Sequence, residues 1–359
     1  MITIVSLFLV VLTVAFLCYF ETPDDKVTKI LYWTFVALLC LIAALPVKFS
    51  EHLRPVGVDK DSINYMLMYY DPTYGADSST VEYSFKLIVK VVDFLFGDVR
   101  GLFVVYALLS IPLRAYVLQR FTGQILLGLL IWACHYFVFQ DMTQIRVAVS
   151  SAFFLLGIFF LAEKRRWPFM GCFVGALFFH YSSLLMLPLV LLSNRPVGRR
   201  ERYVLLGVIP LMYVLLIAGI DPILSLPIPY IQEKVEIYEK MRDMGIMADD
   251  LNVFGLTFLM RVLVYYFVLW KYDIIVKKVP SVSLLLRVYV FSLCSFLLFS
   301  SFSVFASRIS EFYGIVEIVL FATLVHAFRP PIIGRTIVVV YALFTLCFDL
   351  FNNHLLNMI

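Results

Sequence analysis

Charge is what this chain has least of. Lys, Arg, Asp and Glu make up 15% of its 359 residues, where an ordinary soluble domain carries about a quarter. Hydrophobic residues reach 62% and the mean hydropathy is +0.93, which excludes a soluble fold. There is no internal repeat, no low-complexity segment and no polar tract long enough to form a separate catalytic domain. Short segments of alternating polarity, the mark of a membrane β-barrel, are also missing. The six cysteines (Cys18, Cys40, Cys134, Cys172, Cys294, Cys347) all lie in apolar runs, without CxxC spacing or neighbouring histidines. They point to no metal site or disulfide framework and read as inert buried thiols. The net charge of +4 comes from clusters flanking apolar runs, which excludes a nucleic-acid-binding face.

What the chain has in abundance is unbroken apolar sequence, as in Ile2–Phe20, Ile30–Leu45 and Thr336–Phe348. Such runs match, or nearly match, the length that crosses roughly 30 Å of hydrocarbon as a helix. We count ten: about 2–20, 29–46, 101–119, 123–139, 146–162, 202–220, 254–270, 284–303, 310–328 and 333–350. The first has no basic stretch before it and no small-residue cleavage site, so it reads as a membrane helix rather than a signal peptide. One alternate set of connecting segments (21–29, 114–122, 163–167, 193–202, 271–280, 329–335) holds 16 Lys/Arg and 6 Asp/Glu. The other (47–100, 140–146, 221–253, 304–311, 349–359) holds 11 Lys/Arg and 18 Asp/Glu. The positive-inside rule assigns the first set to the cytoplasm, which turns the long loops 47–100 and 221–253 and both termini outward.

Two segments break the simple count. The stretch after Glu163-Lys-Arg-Arg166 is followed by Arg195…Arg199-Arg200-Glu201-Arg202, so both flanks look cytoplasmic. Two half-helices, Trp167–Phe179 and Ser182–Leu192, with their joint at His180-Tyr181-Ser182-Ser183, satisfy both flanks; one long tilted helix is the alternative. Non-helical backbone at that depth is tolerated where protein or a wet cavity surrounds it. In the first outer loop, Glu82, Lys86, Lys90 and Asp93 line one stripe of an otherwise apolar helix, the pattern of a helix lying at the interface.

Ionisable groups inside apolar segments are functional suspects. Here they are Arg146, after Gln140-Asp-Met-Thr-Gln-Ile; Arg261; Arg308, with Glu311 and Glu317 following; and His180. Arg287, nearer the cytoplasmic end, is expected to snorkel. Plainer readings exist. Arg146 and Arg308 suit interfacial anchors, Arg308–Glu311 a helix pair, Arg261–Glu317 a packing pair, and His180 a satisfied core histidine. Yet three arginines in the outer half suit a lipid-linked phosphate or diphosphate, because guanidinium groups stay charged and bind phosphate bidentately. A second constellation, Arg54-Pro-Val-Gly-Val-Asp59-Lys-Asp61-Ser-Ile-Asn-Tyr65 followed by Glu82, offers carboxylates that take a proton from an attacking hydroxyl.

Together these segments resemble the EpsG family and the wider Wzy-type polysaccharide polymerases. Arg54–Tyr65 with Glu82-Tyr-Ser-Phe85 is similar to the family's R…G-x-D-T-x-x-Y and E-P-G-F pattern. Its Pro-Gly is replaced here by Tyr83-Ser84, and its Asp is shared between Asp59 and Asp61. Gln144-Ile-Arg146-Val-Ala148 followed by Phe179-His180-Tyr-Ser182 resembles the Q-x-R…H-x-S block, and Ser307-Arg308…Phe312-Tyr313 a late R-x-x-x-[YF] block. The resemblance covers about residues 50–315. It implies an all-α, GT-C-like glycosyltransferase of the bacterial cytoplasmic membrane. Such an enzyme joins undecaprenyl-diphosphate-linked repeat units, donor to acceptor, into O-antigen, capsule or exopolysaccharide. No cofactor or metal is implied, and a chain-length regulator is a conceivable partner. Asp61, Asp59 or Glu82 would serve as base, and Arg54, Tyr65, Arg146, His180, Arg261, Arg308 and Tyr313 would bind substrate. A flippase for the same lipid-linked sugars, an O-antigen ligase and a membrane acyltransferase are the rival classes. The loop 221–253, with Tyr230 and Tyr238, is a candidate lid over the glycan.

Overall fold

The computed structural model describes residues 2–22, 25–44, 47–49, 55–57, 61–71, 81–219, 251–353 and 355–356. Arg54, Asp59 and nearly all of the 221–253 loop lie outside the described residues. The chain forms two units, Met1–Asn194 with Glu317–Ile359, and Arg195–Val316. Each is helical, except for a short antiparallel ribbon in the first, β1 (Val47–Phe49) on β2 (Pro55–Gly57).

The first unit begins with α1 (Ile2–Leu17, prolonged by a 3-10 turn to Phe20) and α2 (Lys26–Ala44). After the ribbon come α3 (Ser62–Tyr70), α4 (Tyr83–Phe96), α5 (Arg100–Phe121) and α6 (Ile125–Ile131). The last continues as a π-helix, Trp132–Thr143. Then follow α7 (Ile145–Ala162), α8 (Arg166–Phe179) and a 3-10 helix, Tyr181–Leu191. The second unit holds α9 (Arg199–Ile217), α10 (Leu256–Trp270), α11 (Tyr272–Ile275), α12 (Val282–Leu298) and α13 (Ser303–Gly314). The chain returns to the first unit in α14 (Glu317–Leu320), a 3-10 segment Phe321–Ala327, and α15 (Pro331–Phe351).

All ten apolar segments are largely helical, but among the described residues six helices are long and apolar enough to cross a membrane: Thr3–Phe20, Lys26–Ala44, Arg100–Phe121, Ile125–Thr143, Ile145–Ala162 and Pro331–Phe351. Phe305–Gly314 and Glu317–Ala327 meet the test only as a pair. The others fall short for visible reasons: α10 and α12 have 15 and 17 residues, and α9 opens on Arg-Arg-Glu-Arg. The break predicted at His180 is present, with extended backbone there (φ −157°, ψ 129°) between α8 and the 3-10 helix. At 1.5 and 2 Å per residue the two arms reach about 21 and about 22 Å, each less than a crossing of roughly 30 Å. The amphipathic helix predicted over 82–93 is α4. Phe85 and Val92 are buried on one side, while Tyr83, Leu87, Phe94 and Leu95 are exposed on the other. It stops at Gly97, whose left-handed φ of 62° lets its N–H bond back to the carbonyls of Val92 and Asp93.

The α6–π-helix span lies at the centre of the first unit: 89% of it is buried, against 33–61% for the other five spans. A polar network holds it there. Arg114, placed by the charge census in a cytoplasmic loop, is instead inside α5 and has no exposed side-chain surface. It donates through Nη1 to Asp141 and through Nη2 to Gln140 Oε1 (3.2 Å), the Ala148 carbonyl (3.0 Å) and Ser151 Oγ (2.6 Å). Asp141 also accepts from Ser110 Oγ at 2.8 Å and Trp132 Nε1 at 2.9 Å. One guanidinium thereby fastens α5 to the π-helix and to the first two turns of α7. The Arg287 expectation is corrected as well: it is buried in the second unit, donating to both Glu201 oxygens at 2.5 and 2.8 Å and to the Arg195 carbonyl at 2.8 Å. A bidentate partner within reach removes the need to snorkel.

At the start of α6, the buried Glu21 carboxylate accepts the N–H groups of Leu126 (2.9 Å) and Leu127 (3.4 Å). Arg335 binds the carbonyls of Tyr19 and Glu21 at 2.9 and 2.7 Å. Burial pushes the Glu21 carboxyl up from 4.5 to about 7 against the pull of those N–H groups and of Arg335.

Two outcomes follow from these buried groups. Replacing Asp141 with Leu strands a buried guanidinium and should cost about 3–5 kcal/mol, whereas Arg114→Met with Asp141→Leu should recover most of it; thermal unfolding in detergent measures both. Because the folded Glu21 has the higher proton affinity, its contribution is full below pH 4.5 and fades as pH rises through about 7. Glu21→Gln should flatten stability over that window.

Candidate functional site

The site is built where α3, α4, α7 and the α8 break meet in the first unit. Glu82 precedes α4 in extended conformation (φ −63°, ψ 146°), and its side chain does not cap that helix. The carboxylate turns inward instead and is 2% exposed. Its Oε2 accepts from Arg146 Nη1, and its Oε1 meets His180 Nδ1 at 2.6 Å. Residues 64 and 98 positions apart in sequence thus share one carboxylate.

Local structure explains each placement. The π-helix ends at Gln144, whose non-helical backbone (φ −100°, ψ 62°) restarts the chain as α7, so Arg146 sits in the first turn. Its guanidinium lies over the rings of Tyr65 and Phe85, 5.8 and 5.5 Å from their centroids, contacts that favour a cation on an aromatic face. Those rings belong to a core with Met66, Val92, Phe103, Tyr106 and Val149. Phe179 packs on it through an edge contact with Tyr106 at 6.3 Å. His180 is released from helix one residue later. Beyond the break, Ser183 is buried and bonds Ser150 of α7 at 2.5 Å, which pins the break against the helix that carries Arg146.

The arrangement is layered. The carboxylate is enclosed, while the Arg146 and His180 side chains keep 17% and 22% of their surface open. Burial alone would raise the Glu82 carboxyl; the His180 hydrogen bond and the Arg146 charge outweigh it and hold the group below its ordinary value. Glu82 is therefore an anion at neutral pH, with each oxygen engaged.

Of the ten residues singled out in the sequence, Glu82, Arg146, His180 and Tyr65 converge here. Asp61 opens α3, partly exposed, its carbonyl accepting the Tyr65 N–H at 3.2 Å. Arg261, Arg308 and Tyr313 belong to the second unit. Arg261 is buried and donates to Glu311 (3.0 Å), Ser310 (3.5 Å) and Ser292 (3.0 Å). Its partner is thus Glu311 rather than the expected Glu317, which accepts from Tyr136 at 3.1 Å. This also takes Glu311 as an Arg261 acceptor, in place of the simple helix pair with Arg308. Arg308 is exposed on α13, and Tyr313 is buried against Phe291. Sequence reasoning missed the Arg114–Asp141 network and a second pair, His135 Nδ1 with Asp349 at 2.6 Å, Asp349 also accepting from Asn353 at 2.9 Å. His135 lies within the apolar run 123–139, and an ionisable residue there was the available signal.

The chain matches the EpsG family model over residues 34–357. No curated protein and no solved structure matches it.

A carboxyl whose affinity for protons is lowered by folding stabilises the protein above its ordinary value of 4.5 and ceases to do so as pH falls through its lower folded value. Acid titration of thermal stability should therefore show a loss beginning below about pH 4.5. Glu82→Gln should be less stable at neutral pH and show a shallower acid loss.

Proposed function

We propose that this chain, which belongs to the EpsG family of Wzy-type polysaccharide-polymerase-like membrane proteins, is a glycosyltransferase that joins undecaprenyl-diphosphate-linked oligosaccharides into a surface polysaccharide. The observation that carries this reading is the meeting of Glu82, Arg146 and His180. They come from separate sequence blocks that resemble the polymerases, and they lie within hydrogen-bonding reach of one carboxylate.

In this reading Arg146 holds the donor diphosphate. Its guanidinium has five N–H donors and cannot lose its charge, so the one directed at Glu82 leaves others for phosphate oxygens. As the anomeric C–O bond breaks, negative charge grows on the departing diphosphate, and a fixed cation there lowers the barrier. The diphosphate is itself the activated leaving group. Arg308, exposed on α13 of the second unit, is a separate candidate for binding phosphate. Arg261, already satisfied by Glu311, Ser310 and Ser292, is assigned to holding the second unit's helices. The charge census supports an outward-facing site, because Glu82 and Arg146 both belong to the acid-rich set of segments. Undecaprenyl donor, repeat-unit acceptor and the outer face of the bacterial cytoplasmic membrane complete the proposal.

Purified protein given a lipid-linked repeat unit should produce a ladder of lengths; a flippase gives none, and a ligase gives one transfer. Arg146→Lys keeps the charge beside Glu82 but loses the fork geometry, and should fall about 10²- to 10³-fold in rate. Arg146→Ala and Arg308→Ala cells should make single-repeat glycan from correctly inserted protein. Full-length polymer from both would sink the assignment.

A further inference from the structure

We propose that His180 is the catalytic residue that takes the proton from the acceptor hydroxyl, and that Glu82 is a positioning residue for it. This rests on the transferase reading above and replaces Glu82 as a candidate base.

Glu82 is badly placed to act as a base. Its carboxylate is 2% exposed, and its two oxygens are engaged by Arg146 and His180. A hydroxyl would have to displace one of them to reach it. Its proton affinity is also held below the ordinary value by the same partners. The imidazole has the complementary properties. An ionised carboxylate only accepts, so the 2.6 Å contact requires that Nδ1 carry the hydrogen. In the neutral ring that leaves the lone pair on Nε2. The side chain keeps 22% of its surface open. The break at His180 and the Ser150–Ser183 bond fix its backbone. Burying the anion behind the ring also stabilises the imidazolium that forms on proton transfer.

The step balances. The acceptor O–H gives its proton to His180 Nε2 while its oxygen forms the bond to the donor's anomeric carbon. The bond from that carbon to the diphosphate breaks, and its electron pair stays on the phosphate oxygen beside Arg146. The imidazolium then gives its proton to water or to the released diphosphate. Among the described residues, the ionisable groups around the Glu82–His180 pair are Arg146 from α7, Tyr65 from α3 and Tyr106 from α5.

The test is a pH profile of single-turnover transfer with purified protein, a lipid-linked donor and an acceptor unit. Wild type should lose rate on the acid side, where the base takes up its proton. His180→Asn, whose amide still donates to Glu82, should fall 10²- to 10⁴-fold, with donor KM nearly unchanged and the acid limb gone. Glu82→Gln should lower the rate but keep the limb, because the base is still in place. The proposal is overturned if the limb survives in His180→Asn, or if Glu82→Gln or Asp61→Asn abolishes it. Should His180→Asn fail to fold, the Glu82→Gln profile decides alone: a retained limb supports His180, a lost one overturns it. No transfer by wild type under any condition would refute the transferase reading instead.

Discussion

An arginine that meets no water organises the first unit. Removing a guanidinium from solvent costs several kcal/mol unless its charge and its N–H groups are matched. Arg114 matches its charge with Asp141 and sets its two terminal nitrogens on Asp141, Gln140, Ser151 and the Ala148 carbonyl, leaving Nε alone without an acceptor. Because those partners lie on the π-helix and on the next helix, satisfying one side chain fixes three segments together. The π-helix itself matters to this outcome. Its wider turn brings Trp132 and Asp141, nine residues apart, within 2.9 Å. It ends at the Gln144 turn that sets Arg146 over Tyr65 and Phe85.

The polar groups of this unit thus fall into two kinds. Arg114 and Asp141 are sealed on every side and serve architecture. Arg146 and His180 each bond Glu82 while keeping 17% and 22% of their side-chain surface open. The difference was invisible in composition alone, since both kinds are ionisable residues among apolar neighbours.

Much of the fold was legible because hydrophobic runs leave few alternatives in a membrane. The spans 2–20, 123–139 and 146–162 each became helix, the Lys86–Lys90 stripe became α4, and the flanking basic clusters around 163–202 correctly pointed to a break at His180. What could not be read was pairing. Arg114 and Arg120 look alike at the end of one apolar run, yet Arg120 is exposed and lies over Tyr116, while Arg114 is sealed. Only a partner 27 residues away distinguishes them. Nor does sequence periodicity reveal a 4.4-residue turn when almost every face is apolar. At the candidate site the blocks nominated Glu82, Arg146, His180 and Tyr65, which the fold brings together, but not which oxygen faces which nitrogen. That information exists only in three dimensions.

The 27-residue gap between Arg114 and Asp141 has a consequence for how the protein is made. Helices emerge from the ribosome in order, so α5 reaches the membrane before the residues that neutralise Arg114 have been synthesised. A lone central arginine disfavours insertion by about 2.5–3.5 kcal/mol. The helix must therefore either wait beside the translocation channel or enter together with α6 as a hairpin. The pair that locks the finished fold also couples two successive insertion events, and makes the stretch from α5 through Asp141 the smallest piece of this region in which the Arg114 charge is answered.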